Sequence, residues 1–162
     1  MTTIEQKSLK VGKYVSTQHV DTVIRNYKQE RWVHNSERLG KEDSLSAWWS
    51  IEEIEEFLER AKMHGGDGVK FYFGAYDKDY AENPDFAGRQ TLAMVATKQK
   101  VNEFGEASNK DIYIPTANGS NILAYNAANL CPPYCGAKPK SIEDPEIGIT
   151  IIDKGEDGIL VI

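Results

Sequence analysis

The chain has 162 residues, of which 40% are hydrophobic and 27% are charged, and 25 acidic against 19 basic residues give it a formal net charge of −6. This composition is typical of one globular domain and excludes the disordered and fibrous classes. The negative charge, without a dense basic stripe, argues against nucleic acid as a partner, because nucleic-acid binding draws on clustered Lys and Arg. Two cysteines are too few for a disulfide-rich secreted scaffold.

The amino-terminal residues are polar, and Glu5 stands where a signal peptide would have an apolar run. No stretch approaches the roughly 18 apolar residues that a membrane-spanning helix needs. We therefore expect a cytoplasmic protein with no membrane partner. We treat residues 1–162 as one domain, with residues 1–15 as an amino-terminal arm and residues 137–162 as a carboxy-terminal extension.

The first periodic segment predicts a helix. Apolar side chains recur on one helical face at Val20, Val23, Ile24 and Tyr27. Ser16 or Thr17 can cap its start, because a short side-chain oxygen accepts a hydrogen bond from an unpaired backbone amide. We expect this helix to end near Trp32 and to be followed by a polar connector over residues 34–47.

A second helix has stronger local signals. Ser50 and Glu53 form a capping-box sequence, and Trp49 before the cap can pack on Ile54. The predicted apolar face comprises Ile51, Ile54, Leu58 and Ala61, with Phe57 widening it. The predicted solvent side carries Glu52, Glu55, Glu56 and Glu59. The helix is expected to end at Gly65, because glycine tolerates the left-handed conformation that terminates helices.

Strands dominate the rest of the sequence. Residues 69–76 alternate with period two and carry aromatics on both sides, which predicts a half-buried to central strand. Residues 91–98 predict a second strand that is apolar on both faces. Residues 77–89 between them form an acidic loop that is longer than a hairpin needs, and loops of that kind are more often functional than accidental.

The later strands are weaker. Residues 111–116 predict an edge strand, because Pro115 removes a backbone donor, and the Asn-Gly pair that follows marks a turn. Residues 122–130 are compatible with a hairpin strand or a short helix. Alternating isoleucines near residues 147–151 and the apolar run 159–162 suggest a terminal hairpin. Helices first and strands afterwards predict an α+β fold, mainly an antiparallel sheet with two helices from the amino-terminal half packed on one face.

Three local sequences, in residues 47–53, 69–76 and 130–135, together resemble a group of small proteins of Bacteroidetes-type bacteria. In that group a Trp-x-Ser-x-Glu-Glu helix start precedes a Tyr-Phe-Gly-x-Tyr strand and a late Cys-Pro-Pro-x-Cys. The similarity spans roughly residues 45–135. It implies a bacterial, cytoplasmic protein and brings no activity with it.

The Cys-Pro-Pro-Tyr-Cys sequence is the sharpest chemical feature. Prolines between Cys131 and Cys135 keep the loop rigid, and a lowered thiol pKa there would give a reactive thiolate. It superficially resembles the Cys-Pro-Tyr-Cys of glutaredoxins but is one residue longer and stands late in the chain. A zinc site would need two more ligands from His19, His34 and His64, which are scattered. Structural thiols or a disulfide, redox chemistry and metal binding all stay open.

A second candidate site consists of aromatic residues with an arginine, a combination that is common at binding hot spots. Its members are Trp48, Tyr72, Tyr76, Tyr80, Arg89 and Tyr134. An ordinary packing of sheet against helix would use the same residue types. The acidic segments that begin at Asp77 and at Asp153 lack the calcium ligands that their spacing requires, and no catalytic motif occurs.

These patterns support two hypotheses. The first is a non-enzymatic binding protein that acts through the sheet and residues 77–89, for example on a basic protein partner, as toxin-immunity proteins do. The second is a thiol-redox or metal-binding protein that acts through Cys131 and Cys135. No cofactor is expected. An enzyme with dispersed catalytic residues stays a third alternative, because such sites assemble only in three dimensions.

Overall fold

The computed structural model describes residues 10–135 and the strands at 151–153 and 159–161. The helical elements are α1 (Thr17–Tyr27), a π-helical segment (Lys28–Trp32), α2 (Val33–Leu39) and α3 (Ile51–Met63), with β1 (Ser46–Trp48) between the last two. The other strands are β2 (Gly68–Ala75), β3 (Gln90–Val101), β4 (Ala107–Asp111), β5 (Tyr113–Thr116), β6 (Gly119–Ile122), β7 (Ala124–Tyr125), β8 (Asn129–Cys131), β9 (Ile151–Asp153) and β10 (Ile159–Val161). All strand pairs are antiparallel among the residues described, and the predicted α+β fold is confirmed.

The first helical region begins as predicted but is longer. The Ser16 hydroxyl caps α1 by accepting a hydrogen bond from the His19 backbone amide at 3.2 Å. The expected end near Trp32 is wrong, because the chain stays helical through Leu39 and stops at Gly40, whose φ of +71° suits glycine. Part of the predicted polar connector is therefore helix.

Hydrogen bonds to Asp43, which lies after the helical region, explain that extension. The indole of Trp32 donates to the Asp43 carbonyl at 2.8 Å, and the Asn35 amide donates to the Asp43 carboxylate at 3.2 Å. Ser36 accepts from the Asp43 backbone amide, and the same carboxylate accepts from the Gln90 amide at 2.7 Å. Partners on β3 and on the segment after α2 therefore stabilise a stretch whose own composition favours a loop.

α3 is the second predicted helix, and its predicted capping box is confirmed. Ser50 Oγ accepts from the Glu53 amide at 3.1 Å, and the Glu53 carboxylate accepts from the Ser50 amide at 2.9 Å, which completes the capping box. Its buried residues are Phe57 and Ala61. Ile51 is 76% exposed, contrary to the predicted apolar face. At 3.6 residues per turn, Ile51 lies about a quarter of a turn away from the buried face.

The main sheet has β3 at its centre. β2 pairs with β3 along its full length. β4 pairs with the carboxy-terminal part of β3, and β7 pairs with Met94 and Val95, which also pair with β2. Within the described chain β2 is thus an edge strand rather than a central one. The aromatic side chains of Phe71 and Phe73 are correspondingly 51% and 82% exposed.

The later strands form smaller sheets. β5 and β6 make a hairpin, and Pro115 lies in β5, which pairs only with β6 among the residues described. Residues 122–130 contribute strands, so the alternative of a short helix is wrong. β8 pairs with β1, and β9 pairs with β10 as the predicted terminal hairpin requires. Residues 1–9 of the arm, and Ile147 and Ile149, lie outside the described residues.

One core joins α3, the main sheet and the later strands. It contains Trp49, Phe57, Ala61, Phe86, Met94, Ala96, Leu123, Ala128 and Leu130. No helix in the described part of the chain has the length and apolar character needed to cross a bilayer.

Candidate functional site

The predicted acidic loop of residues 77–89 is an ordered structure. A short 3-10 helix, Pro84–Phe86, forms its middle, and the Asn83 side chain caps it by accepting from the Asp85 amide at 3.2 Å. The Tyr76 amide donates to the Arg89 carbonyl, and the Gly88 amide donates to the Asp77 carbonyl, both at 3.0 Å. These bonds close the loop at its base.

Four aromatic side chains, two from the loop and two from outside it, pack against one another. Phe86 is buried, and its ring lies 5.7 Å from that of Tyr76 and 5.3 Å from that of Tyr134. Tyr80 stacks on Tyr76, with ring centroids 4.5 Å apart. Ring contacts of this kind add to the burial of apolar area. We call these four residues the aromatic stack.

Asn126 fastens the aromatic stack to the sheet. Its side-chain oxygen accepts from the Tyr76 hydroxyl at 3.0 Å, and its amide nitrogen donates to the Leu92 carbonyl at 2.7 Å and to Thr91 Oγ1 at 3.1 Å. Its backbone carbonyl accepts from the indole of Trp49 at 3.3 Å. A single amide side chain thus ties the loop's support to β3.

Arg89 anchors the carboxy end of the loop. Its side chain is buried, Nε donates to the Asp85 carbonyl at 2.7 Å, and Nη1 donates to the Glu42 carbonyl. Burial lowers the pKa of Arg89, while the charges of Asp43, Glu42 and Asp85 oppose that shift. The guanidinium stays protonated, because arginine is not deprotonated in folded proteins. Its hydrogen bonds thus join the loop to the segment before β1.

The carboxylates of the loop face solvent. Asp77, Asp79, Glu82 and Asp85 are exposed, together with a single lysine, Lys78. The Tyr80 hydroxyl donates to Glu82 at 2.9 Å, and this hydrogen bond raises the pKa of Tyr80. The Tyr134 hydroxyl donates to Asp85 at 2.8 Å. We call this set of four carboxylates on their aromatic support the acidic surface.

Cys131 and Cys135 are joined by a disulfide, which closes a ring containing Tyr134. The Tyr134 amide donates to the Leu130 carbonyl at 2.8 Å, and the Leu45 amide donates to the Cys131 carbonyl at 2.7 Å. No group of three or more His, Cys, Asp or Glu residues suited to a metal ion occurs in the part of the chain that the structure describes. His19, His34 and His64 therefore complete no such group with the cysteines.

The structure divides the aromatic residues that the sequence grouped together. Tyr76, Tyr80 and Tyr134 meet in the aromatic stack, whereas no ring contact among the described residues joins Trp48 or Tyr72 to it. Trp48 is 61% exposed on β1. Tyr72 instead donates to the Asp111 carboxylate at 2.7 Å, beside the Lys70 ammonium, which lies 2.8 Å from Asp111.

Two surface depressions, of about 220 and 290 Å³, lie elsewhere on the molecule. The first is lined by Tyr27, the segment before and within β1, and β3, and the second lies between α3 and the β5–β6 hairpin. Neither is lined by residues 77–89 or by the aromatic stack outside them.

Comparison with family models, with curated proteins and with solved structures finds no match to this chain. The resemblance of residues 45–135 to a bacterial group stays a prediction, and the function is inferred from the geometry of the chain itself.

Sequence reasoning missed three residues that build this site: Asp85, Phe86 and Asn126. A signal for Phe86 existed, since an apolar ring beside an Asn-Pro turn in an acidic loop needs a place to be buried. Asn126 had none, because its partner Tyr76 is 50 positions away in the sequence.

Proposed function

We propose that this chain is a non-enzymatic binding domain whose partner is a protein with a basic surface, and that the acidic surface of residues 77–89 recognises it. The observation that carries the proposal is the support of exposed carboxylates by the buried Phe86 and Arg89. A loop that is already ordered loses little conformational entropy when it binds, so more of the contact energy appears as affinity.

Charge selects the class of partner. The loop exposes four acidic residues and one lysine, and the whole chain has a net charge of −6. Such a surface attracts a basic protein, accelerates the encounter and disfavours acidic partners, including nucleic acid. Neutralisation of a basic toxin by an acidic immunity protein is the nearest analogy, and it is analogy alone. We place this interaction in the cytoplasm as part of the proposal.

The disulfide favours redox chemistry over metal binding as a role for Cys131 and Cys135. The two sulfurs are bonded to each other, and a zinc site would require their reduction and two further ligands. Tyr134 connects this ring to the acidic surface through Asp85. Redox chemistry here is thus compatible with a binding function.

Charge reversal tests the proposal. The variant carries Asp79→Lys and Glu82→Lys, and the matched control carries Glu55→Lys and Glu59→Lys on the exposed side of α3. Both change the net charge equally. Each protein is immobilised, partners are captured from a bacterial lysate over a range of salt concentrations, and the main partner is identified and purified for calorimetry.

We expect the loop variant to bind the purified partner at least about tenfold more weakly, because each lost charge pair of this kind contributes of order 1 kcal/mol or more. The control should bind like wild type. Circular dichroism checks that both variants are folded. Equal affinities for the loop variant and wild type would show that the acidic surface is not the binding site.

A further inference from the structure

The disulfide ring has one anchored end and one exposed end. Cys131 ends β8, which pairs with β1, and it follows Leu130, which is fully buried. The Leu45 amide holds the Cys131 carbonyl at 2.7 Å. Cys135 is exposed, and the disulfide ties it back to β8. A reagent from solution therefore has access to the bond at its Cys135 end.

Tyr134 transmits the position of this ring to the loop. Its ring packs against Phe86 with centroids 5.3 Å apart, and its hydroxyl donates to Asp85 at 2.8 Å. Both contacts fall on the 3-10 helix, Pro84–Phe86, at the middle of the acidic surface. The disulfide thereby restrains a residue that covers Phe86 and orients one of the four carboxylates.

We infer that the Cys131–Cys135 disulfide is a reversible redox site, reduced by a dithiol, and that its reduction loosens the acidic surface through Tyr134. The regulation of binding by this disulfide rests on the proposed function. The effect of its reduction on the order of residues 77–89 does not. In the cytoplasm, where the proposed function places the chain, disulfides are usually transient and either catalytic or redox-sensing. The physical basis is the exposure of Cys135 together with the path from the ring through Tyr134 to Asp85 and Phe86.

The exchange reaction balances with a dithiol as reductant. A thiolate of the dithiol attacks the exposed Cys135 sulfur, forms a mixed disulfide and expels the Cys131 sulfur as a thiolate, which takes up a proton. The second thiol of the reductant then attacks the reductant's first sulfur, which is bonded to Cys135 in the mixed disulfide. This step releases the Cys135 thiolate, which is protonated in turn. The chain gains two electrons and two protons, and the dithiol becomes a disulfide.

Reduction removes the covalent restraint on Tyr134. Its remaining contacts include the backbone hydrogen bond to Leu130, the hydroxyl bonds to Asp85 and, at 3.5 Å, to Asn83, and the ring contact with Phe86. Tyr134 is 41% exposed, and partly exposed contacts of this kind contribute little each. The four amides of residues 86–89 donate hydrogen bonds inside the loop and report on its order.

Hydrogen exchange of the whole chain, without any partner, tests the inference. The oxidised protein is compared with the same protein after treatment with dithiothreitol, and a chromogenic thiol reagent counts the thiols released. We expect two thiols, and exchange about tenfold faster at residues 86–89, with no change in the amides of α3. The variant with both Cys131→Ser and Cys135→Ser should behave like the reduced protein under either condition.

Tyr134→Ala tests the path itself. Its loop should exchange fast while the disulfide is intact, and reduction should add nothing further. Equal loop exchange in oxidised and reduced wild type overturns the inference, as does a disulfide that dithiothreitol leaves intact. Equal acceleration in α3 also overturns it, because the disulfide would then stabilise the whole domain. A wild-type response in Tyr134→Ala removes the proposed path.

The two proposals fail in different ways. Loop exchange is measured without a partner, so it tests the redox site alone. If the loop loosens on reduction while the charge-reversed variant still binds the partner like wild type, the redox site stands and the proposed binding surface fails.

Discussion

The Nε of Arg89 donates a hydrogen bond to the backbone carbonyl of Asp85, 2.7 Å away, and so closes the acidic loop on itself. The same guanidinium also donates to the carbonyl of Glu42. Because Arg89 is 8% exposed, these two carbonyls take the place of water. The planar guanidinium of arginine can donate to both carbonyls at once, whereas the ammonium of lysine is one compact charge on a flexible side chain.

We expect Arg89→Lys to lower the free energy of unfolding by about 2 kcal/mol, since one of the two carbonyls loses its charged donor. Urea titration measures the change as a lower midpoint with an unaltered slope. Lys78→Met, at an exposed position of the same loop, should change stability by less than about 0.5 kcal/mol. Equal effects of the two substitutions would mean that the Arg89 hydrogen bonds do not stabilise the loop.

Helices α1 and α3 are each capped by a serine, and they should respond differently when that serine is replaced by alanine. Ser50→Ala removes the hydroxyl that accepts from the Glu53 amide, and α3 carries Phe57 and Ala61 into the core. We expect a loss of about 1 kcal/mol in global stability. Ser16→Ala removes the corresponding cap of α1, which buries none of its residues. Its effect should be confined to local fraying.

Chemical denaturation and hydrogen exchange separate these outcomes. Ser50→Ala should lower the urea midpoint, whereas Ser16→Ala should leave it unchanged and speed exchange only in the first turns of α1. An equal fall in midpoint for both variants would show that α1 unfolds together with the core.

The sequence predicted correctly those features that depend on residues close together in the chain. The capping box of Ser50 and Glu53 and the turn at Gly65 involve neighbours in sequence, and both are found as expected. α2 was missed because its hydrogen-bond partner Asp43 lies beyond the helix, after Gly40. The extent of a helix built from polar residues depends on such tertiary partners, which a propensity does not contain.

The candidate site shows the same division. The length and charge of residues 77–89 marked the loop, but its support comes from Asn126 and Tyr134, which approach it only in the folded chain. The sequence also left open whether Cys131 and Cys135 form a disulfide, because spacing does not determine the oxidation state of two thiols.

Acid should weaken the domain partly through Asp111. Hydrogen bonds from Lys70 and then from Tyr72 hold the pKa of Asp111 below its ordinary value. The folded state therefore binds fewer protons at this carboxyl than the unfolded chain does. The resulting stability is complete above the unfolded value, about 3.9 for an aspartate, and is lost as the pH falls through the lower folded pKa.

Asp111→Asn should abolish this contribution. We expect it to reduce stability at neutral pH and to flatten the loss of stability below about pH 4, compared with wild type. Unfolding by urea at a series of pH values gives both quantities. Asp79→Asn, at an exposed carboxylate of the loop, serves as the control. A neutral-pH loss with an unchanged acid slope would show that Asp111 acts through packing or shape rather than through its charge.

Ala127 holds the left-handed backbone conformation, with a φ of +61°. Its neighbours impose that conformation, because the Asn126 side chain is bonded to Thr91 and Leu92 and Ala128 is buried in the core. The Cβ atom of alanine is sterically strained in this conformation, and glycine has no Cβ atom. Glycine also increases the conformational entropy of the unfolded chain, which partly offsets the gain. We therefore expect Ala127→Gly to raise the free energy of unfolding by about 0.5–1 kcal/mol. Ala107→Gly, at an exposed position in β4, should lower it by a similar amount, and a fall in both variants would mean that Ala127 is not strained.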